Sequence, residues 1–172
     1  MALEYVFHQS QVRSISISPC GQFLASCDTE GNVVVWQVET TRILKKYKTE
    51  KPVNDCLAWS PNKDISLLLV CNEDNLLIFN PNCYPKEAKL KTKGLLEQMQ
   101  EAWKTKVDSS KKKEAVWTLG SDHVNSYAFK IEFDKIIKSV TWHLKGDYFS
   151  TMAHNIQSTS QVLIHQLTTL SS

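Results

Sequence analysis

The chain repeats itself, and that repeat limits the folds open to it. "VRSISISPCGQFLAS" from Val12 and "IKSVTWHLKGDYFST" from Ile137 align without a gap at an offset of 125 positions. Ile15 meets Val140, Ile17 meets Trp142, Gly21 meets Gly146 and Phe23 meets Tyr148. "NDCLAWSPNKDISLL" from Asn54 follows the first segment at an offset of 42, with Leu57 opposite Ile15, Trp59 opposite Ile17 and Ser60-Pro61 opposite Ser18-Pro19. One shared word carries little. Three copies with the same alternation and the same turn form a repeat, whose units stack to bury what no unit buries alone.

Each copy reads as strands. "VRSISIS" alternates apolar and small polar residues with period two. "PCG" and "LKGD" supply turns, with glycine free to take positive φ. "FLASC", "LLLVC" and "YFSTM" are continuous apolar or small runs, the pattern of strands covered on both faces. Polar turns then lead into "VVVWQV", "LLIFNP" and "VLIHQL", and a more polar fourth strand, "ILKKYKTE", follows the first copy. Four short antiparallel strands in about 40 residues is the WD-repeat blade pattern. The expected fold is all-β, a partial WD40 β-propeller of about three blades. Trp36, Phe79 and His165 take the same place at the end of the third strand, while Ile15, Ile17, Trp59, Val140 and Trp142 are expected in the core on the first strands.

The Trp-Asp pair of such blades is replaced by Trp36-Gln37, Phe79-Asn80 and His165-Gln166, and no clear Gly-His pair precedes a copy. The hydrogen-bond network that those polar residues support in WD repeats is therefore not expected here. "LEYVFHQ" at the start reads as the outer strand of a preceding blade, so residues 1–80 are expected to hold that strand and two blades.

From Asn80 to about Tyr127 the rhythm stops. "PNCYPKEAKLKTK" suits an exposed linker. "GLLEQMQEAWKTKV" predicts a helix near 94–107, with Leu95, Leu96, Met99, Ala102, Trp103 and Val107 on one face. That face either docks a partner through Leu96, Met99 and Trp103 or packs back on its own blades. "DSSKKKEAVW" reads as flexible, and Lys111, Lys112 and Lys113 are either a solvated run or a contact for RNA phosphates. The insertion, 81–127, holds nine lysines against six acids between Pro81 and His123, so it is only mildly basic. "AFKIEF" returns as the outer strand of the second blade, and 128–172 holds that strand and a third, incomplete blade.

The chemistry is thin. No Cys-x-x-Cys, His-Glu-x-x-His, Gly-x-Ser-x-Gly, phosphate loop or dinucleotide fingerprint occurs, so no catalytic, cofactor-binding or metal residue is assigned and an enzyme is not expected. Cys27 and Cys71 fall on equivalent second-strand positions as small apolar filler, and His143 and His165 read as buried or rim histidines rather than ligands. A net charge of +2 gives no bulk attraction to nucleic acid, and no apolar run reaches the roughly 18 residues of a membrane span. Five widely spread cysteines, an odd number, favour a reducing compartment.

Three stretches narrow the reading. "QVRSISISPCGQFLAS", "VTWHLKGDYFSTM" and "SQVLIHQL", in that order around a long insertion, resemble the block-of-proliferation family, also called the eukaryotic ribosome biogenesis protein 1 family. The resemblance covers roughly residues 12–170. It implies a seven-bladed propeller behind a long N-terminal region, of which this chain is expected to be a fragment. It also implies a non-enzymatic scaffold without cofactors, acting with Pescadillo and a second WD-repeat protein (the PeBoW complex) on 66S pre-ribosome particles. The implied role is maturation of the 28S and 5.8S ribosomal RNAs and assembly of the 60S subunit, in the nucleolus and nucleoplasm of the nucleus, with rRNA as a further contact and no membrane partner. The alternative is a WD40 adaptor in an unrelated complex such as a ubiquitin ligase.

Overall fold

The structure is a computed structural model that describes residues 4–53, 56–106, 115–120, 126–154 and 160–172. The first repeat folds as an antiparallel meander of β1 (Val12–Ile17), β2 (Phe23–Asp28), β3 (Asn32–Gln37) and β4 (Ile43–Lys48). The second forms β5 (Leu57–Trp59), β6 (Leu68–Asn72) and β7 (Asn75–Phe79). After the helix α1 (Lys86–Lys106), β8 (Ala115–Leu119) and β9 (Phe129–Phe133) join it in the order β5-β6-β7-β9-β8. The third repeat is a three-stranded sheet, β10 (Ile136–Trp142), β11 (Tyr148–His154) and β12 (Ser160–Gln166).

Local geometry keeps the repeat. β1 shifts register between Val12 and Ser14, and β10 does the same between Ile137 and Ser139. Gly21 and Gly146 both sit at positive φ, 71° and 76°, and their N–H groups close the same turn onto Ser18 O and His143 O at 2.8 Å. Glycine takes that conformation without the steric cost of a Cβ. The chain is thus a partial WD40-type propeller with three blades.

Two buried layers hold the blades together. In the first, Phe23, Ala25, Cys27, Val33 and Val35 meet Leu57, Trp59, Leu68, Val70 and Phe79. In the second, Leu67, Leu69, Cys71, Leu76 and Ile78 meet Ile137, Phe149 and Leu163. Burying an aliphatic or aromatic side chain of this size stabilises by about 1.5–3 kcal/mol. Polar contacts fix the stacking: Trp59 N–H donates to Ser16 Oγ at 3.1 Å, and Trp142 Nε1–H donates to Ala58 O at 3.1 Å.

Several sequence expectations change. Ile15 and Ile17 are exposed, not core, because the face they share with Leu57, Trp59, Val140 and Trp142 has no sheet in front of it in the first blade. Residues 4–10 form no strand. Tyr5 and Phe7 lie edge-on to the Trp36 ring instead, at 5.4 and 6.5 Å. The helix starts at Lys86, not near 94, so much of the expected linker is helical. Pro85 precedes its first turn, where a missing N–H costs nothing. Thr92 Oγ1 pins that half of the helix, donating to Ala88 O at 2.8 Å and accepting from Ser66 N–H at 2.9 Å. Residues 115–117, the end of the stretch expected as flexible, belong instead to the strand β8 paired with β9, since Ala115 is buried and Trp117 packs on Phe129.

Trp59 is buried with its ring stacked on Tyr84 at 5.9 Å, and Tyr84 stacks in turn on Phe23 at 5.5 Å. Trp59→Ala should therefore cost about 3–5 kcal/mol in chemical denaturation, whereas a loss below about 1 kcal/mol would show that the three-ring stack does not hold the first two blades together.

Candidate functional site

One repeat position, at the end of the third strand and the strand beside it, gathers buried polar side chains: Ser26 and Asp28 in the first blade, Asn72 in the second, Thr151 and His165 in the third. In the first blade Trp36 Nε1–H donates to Ser26 Oγ at 2.8 Å. Ser26 Oγ lies 2.6 Å from His8 Nε2, and His8 Nδ1 lies 2.7 Å from Asp28 Oδ2. The donors run in one direction if His8 carries its proton on Nδ1: indole to hydroxyl, hydroxyl to imidazole, imidazole to carboxylate. Asp28 Oδ1 also accepts from the backbone N–H groups of Glu30 and Asn32 at 3.0 and 2.9 Å, and Oδ2 from Asn32 Nδ2 at 2.8 Å. Burial alone would raise the Asp28 pKa, but the hydrogen bonds from Asn32 and His8 outweigh it and hold the carboxyl at about 2. The network not expected from the sequence is present. Its histidine, His8, comes from the segment ahead of the blade, and the signal that marks it is a His 28 residues before Trp36 without the preceding glycine.

An Asp-His-Ser relay invites comparison with a nucleophilic triad. The surroundings oppose it. Ser26 is buried, and its oxygen already faces the Trp36 indole, so a substrate carbonyl has no approach. The relay ties the leading segment to the blade and satisfies groups that would be costly to bury unpaired.

The other blades rebuild the same place with different chemistry. In the second, Phe79 stands for Trp36, Val70 for Ser26 and Asn72 for Asp28, and Tyr47 covers Phe79 with ring centroids 4.5 Å apart. In the third, His165 stands for Trp36 and Thr151 for Ser26. His165 Nε2 is 2.7 Å from Thr151 Oγ1, and Nδ1 is 2.8 Å from Ser172 Oγ. The imidazole stacks on Phe149 at 4.8 Å and meets the edges of Phe133 and Trp117. Burial without a carboxylate lowers its pKa to about 4.

The remaining sequence candidates separate. Trp59 and Phe79 are buried, and Val140 and Trp142 are partly buried against the second blade. Met99 is fully buried, and Leu96 and Trp103 pack beside it onto the second blade-to-blade layer. Trp103 Nε1–H donates to Trp117 O at 3.3 Å. The helix spends its apolar face on its own fold, which removes Met99 from partner contact. Lys111, Lys112, Lys113 and Val107 lie outside the described residues. His143 is exposed beside the Gly146 turn. Among the described residues no group of three His, Cys, Asp or Glu side chains is placed to hold a metal, and no helix is long and apolar enough to cross a membrane.

A family model described as the anaphase-promoting complex subunit 4 WD40 domain matches residues 3–79, the span from the His8 segment to the end of β7. The ribosome biogenesis protein BOP1 homolog of Oryza sativa subsp. japonica is 34% identical over 165 residues, covering 96% of this chain and 24% of that protein. Ribosome biogenesis protein bop1 of Danio rerio is 34% identical over 168 residues, 96% of this chain and 21% of its own length. Nearly the whole chain is thus similar to BOP1 ribosome biogenesis proteins. The homolog of Drosophila ananassae, 32% identical over 169 residues, extends the match to a third lineage. The chain spans about a fifth to a quarter of the length of those relatives.

Two measurements bear on the buried networks. Ser26→Ala strands the Trp36 indole N–H and His8 Nε2 and should cost about 1–3 kcal/mol in urea unfolding; an unchanged midpoint would show that the relay is not formed. His165 is neutral when folded and takes up a proton on unfolding between pH 6.5 and about 4. Stability should therefore fall as pH drops through that window, by on the order of 3 kcal/mol. His165→Phe should flatten the slope, and an equal slope in the variant would place the titrating group elsewhere.

Proposed function

We propose that this chain supplies blades to a non-enzymatic scaffold in ribosome biogenesis, within a complex that contains Pescadillo and a second WD-repeat protein. The observation that carries the reading is sequence identity of 34% to BOP1 proteins of rice and zebrafish across 96% of the chain. The physical character of the described residues agrees with it: stacked blades, polar groups committed to internal networks, and near-neutral net charge. On this reading the particle served is the 66S precursor, the outcome is maturation of 28S and 5.8S rRNA and assembly of the 60S subunit, and the site is the nucleolus and nucleoplasm. The adaptor reading, a blade set serving an unrelated assembly, draws on the match of residues 3–79 to a WD40 model, which covers less than half the chain.

The test is depletion of the transcripts that carry this sequence, followed by pulse-labelled rRNA analysis. Slowed 28S and 5.8S production with the small-subunit RNA spared is expected. Normal processing of all three would refute the assignment.

A further inference from the structure

Two thiols face each other inside the second blade. Leu57 pairs with Val70, so Cys56 stands opposite Cys71, and Cys71 N–H donates to Cys56 O at 2.9 Å. In a hydrogen-bonded antiparallel pair the two Cα atoms lie about 5.5 Å apart, within the span of about 4.4–6.8 Å that a disulfide bridges. Opposed residues project from the same face of a sheet, and both side chains belong to the buried layer between the second and third blades. Burial pushes the Cys71 thiol well up, and its contact with the Cys56 side chain adds to the effect.

The other blades show what this place requires. Ser14 pairs with Cys27 in the first and Ser139 with Met152 in the third. A serine fills the first-strand position in both, and only in the second blade does each strand carry a thiol. Cys56 also reaches across the blade joint, where its Sγ–H donates to Lys138 O at 3.1 Å. Lys138 sits at the register shift of β10, between Ile137 and Ser139, and the extra residue of such a bulge has no partner in the ladder. A serine hydroxyl makes the same bond to a carbonyl, but a serine forms no disulfide. The cysteine therefore adds redox chemistry to a structural contact.

We propose that Cys56 and Cys71 form a reversible dithiol–disulfide switch, oxidised by a peroxide, that makes or breaks the hydrogen bond from the second blade to the third. In a reducing compartment the pair rests as two thiols. Attack needs the thiolate and access, and β5 supplies both by opening, since it is the shortest strand of the fold, at one edge of its sheet. The Cys56 thiolate then attacks one peroxide oxygen, the O–O bond breaks, and a sulfenic acid and water result. Closure of β5 brings Cys71 opposite, its thiolate attacks the Cys56 sulfur, and the sulfenic oxygen leaves as a second water. The two thiols give up two electrons and two protons in all, and a thiol reductant reverses the step by exchange. The disulfide carries no hydrogen, so Lys138 O loses the Cys56 donor.

The experiment exposes the 172-residue chain to hydrogen peroxide, blocks remaining thiols with N-ethylmaleimide, and maps tryptic peptides by mass spectrometry without reductant. A cross-link between peptides 49–63 and 64–86 is expected, formed faster in urea below the unfolding midpoint and removed by dithiothreitol. Peptide 64–86 also holds Cys83, so the cross-link must persist in Cys83→Ser and fragment to Cys71. Hydrogen exchange is then followed on the oxidised chain. The amides of β10 around Lys138 should exchange about 10-fold faster, the worth of one buried hydrogen bond, and recover on reduction. Cys56→Ser keeps a donor to Lys138 O and should show neither cross-link nor change with peroxide; Cys71→Ala replaces it if it does not fold. The proposal is overturned if peroxide that oxidises the exposed Cys20 leaves Cys56 and Cys71 unjoined, or if Cys56 joins Cys83 or Cys27 instead. Exchange in β10 that is unchanged by the cross-link, or equally quickened in Cys56→Ser, overturns it as well.

Discussion

Apolar sheet faces stacked on one another set every other feature of this chain. A four-stranded sheet covered on both sides needs a neighbour on each, so Ala25, Val33 and Val35 acquire their burial only because Leu57, Trp59 and Leu68 stand opposite. The same contact made again by Leu69, Leu76 and Ile78 against Ile137 and Phe149 turns three small units into one body. No single blade has a core of its own, which is the physical content of a repeat architecture. The strands β3, β6, β7 and β11 carry no Asp, Glu, Lys or Arg, and Asp28 at the end of β2 is buried together with its hydrogen-bond partners, because a charge on either face would otherwise be desolvated without one.

The position at the end of the third strand shows how one place in a repeat tolerates different chemistry. Trp36 brings an indole N–H into the interior, and with it a requirement for an acceptor, which Ser26 meets and His8 and Asp28 extend. Phe79 brings no donor, and Val70 in place of Ser26 leaves nothing to satisfy there. His165 brings two ring nitrogens and finds two hydroxyls, Thr151 and Ser172, but no carboxylate. The first and third sets are balanced within themselves, whereas in the second Asn72 Oδ1, at the place of Asp28, is buried without a hydrogen-bond partner. Exchange of one member between blades would strand a buried donor or acceptor at a cost of about 1–3 kcal/mol.

The blade pattern was legible because period-two alternation and glycine turns are local, and Gly21 and Gly146 repeat down to the hydrogen bond they close. What escaped was non-local. Ile15 and Ile17 carry the pattern of core residues, and only the absence of a sheet in front of β1 exposes them. His8 was hidden because its glycine is missing and its partners lie 18 and 20 residues away. The first half of α1 reads as a lysine-rich linker, since its buried side is narrow, with Ala88 and Thr92 the buried residues of the first two turns. β8 is too short to show a period, and it is a strand because β9 offers it an edge.

The insertion is more than a passenger between blades. At 1.5 Å per residue a 21-residue helix is about 30 Å long, enough to reach from one blade-to-blade layer to the next. Tyr84 and Ala88 belong to the first layer, and Met99, Ala102 and Trp103 to the second. Trp103 then hands the chain to β8 through Trp117 O, Lys106 Nζ donates to Leu170 O at 3.0 Å, and Trp117 Nε1–H donates to Ser172 Oγ at 2.9 Å. Ser172 is the same hydroxyl that meets His165. The third blade, with three strands and one uncovered face, is thereby tied to the second from the side as well as through its stacked sheet. A segment that interrupts the repeat thus braces the blade that follows the interruption.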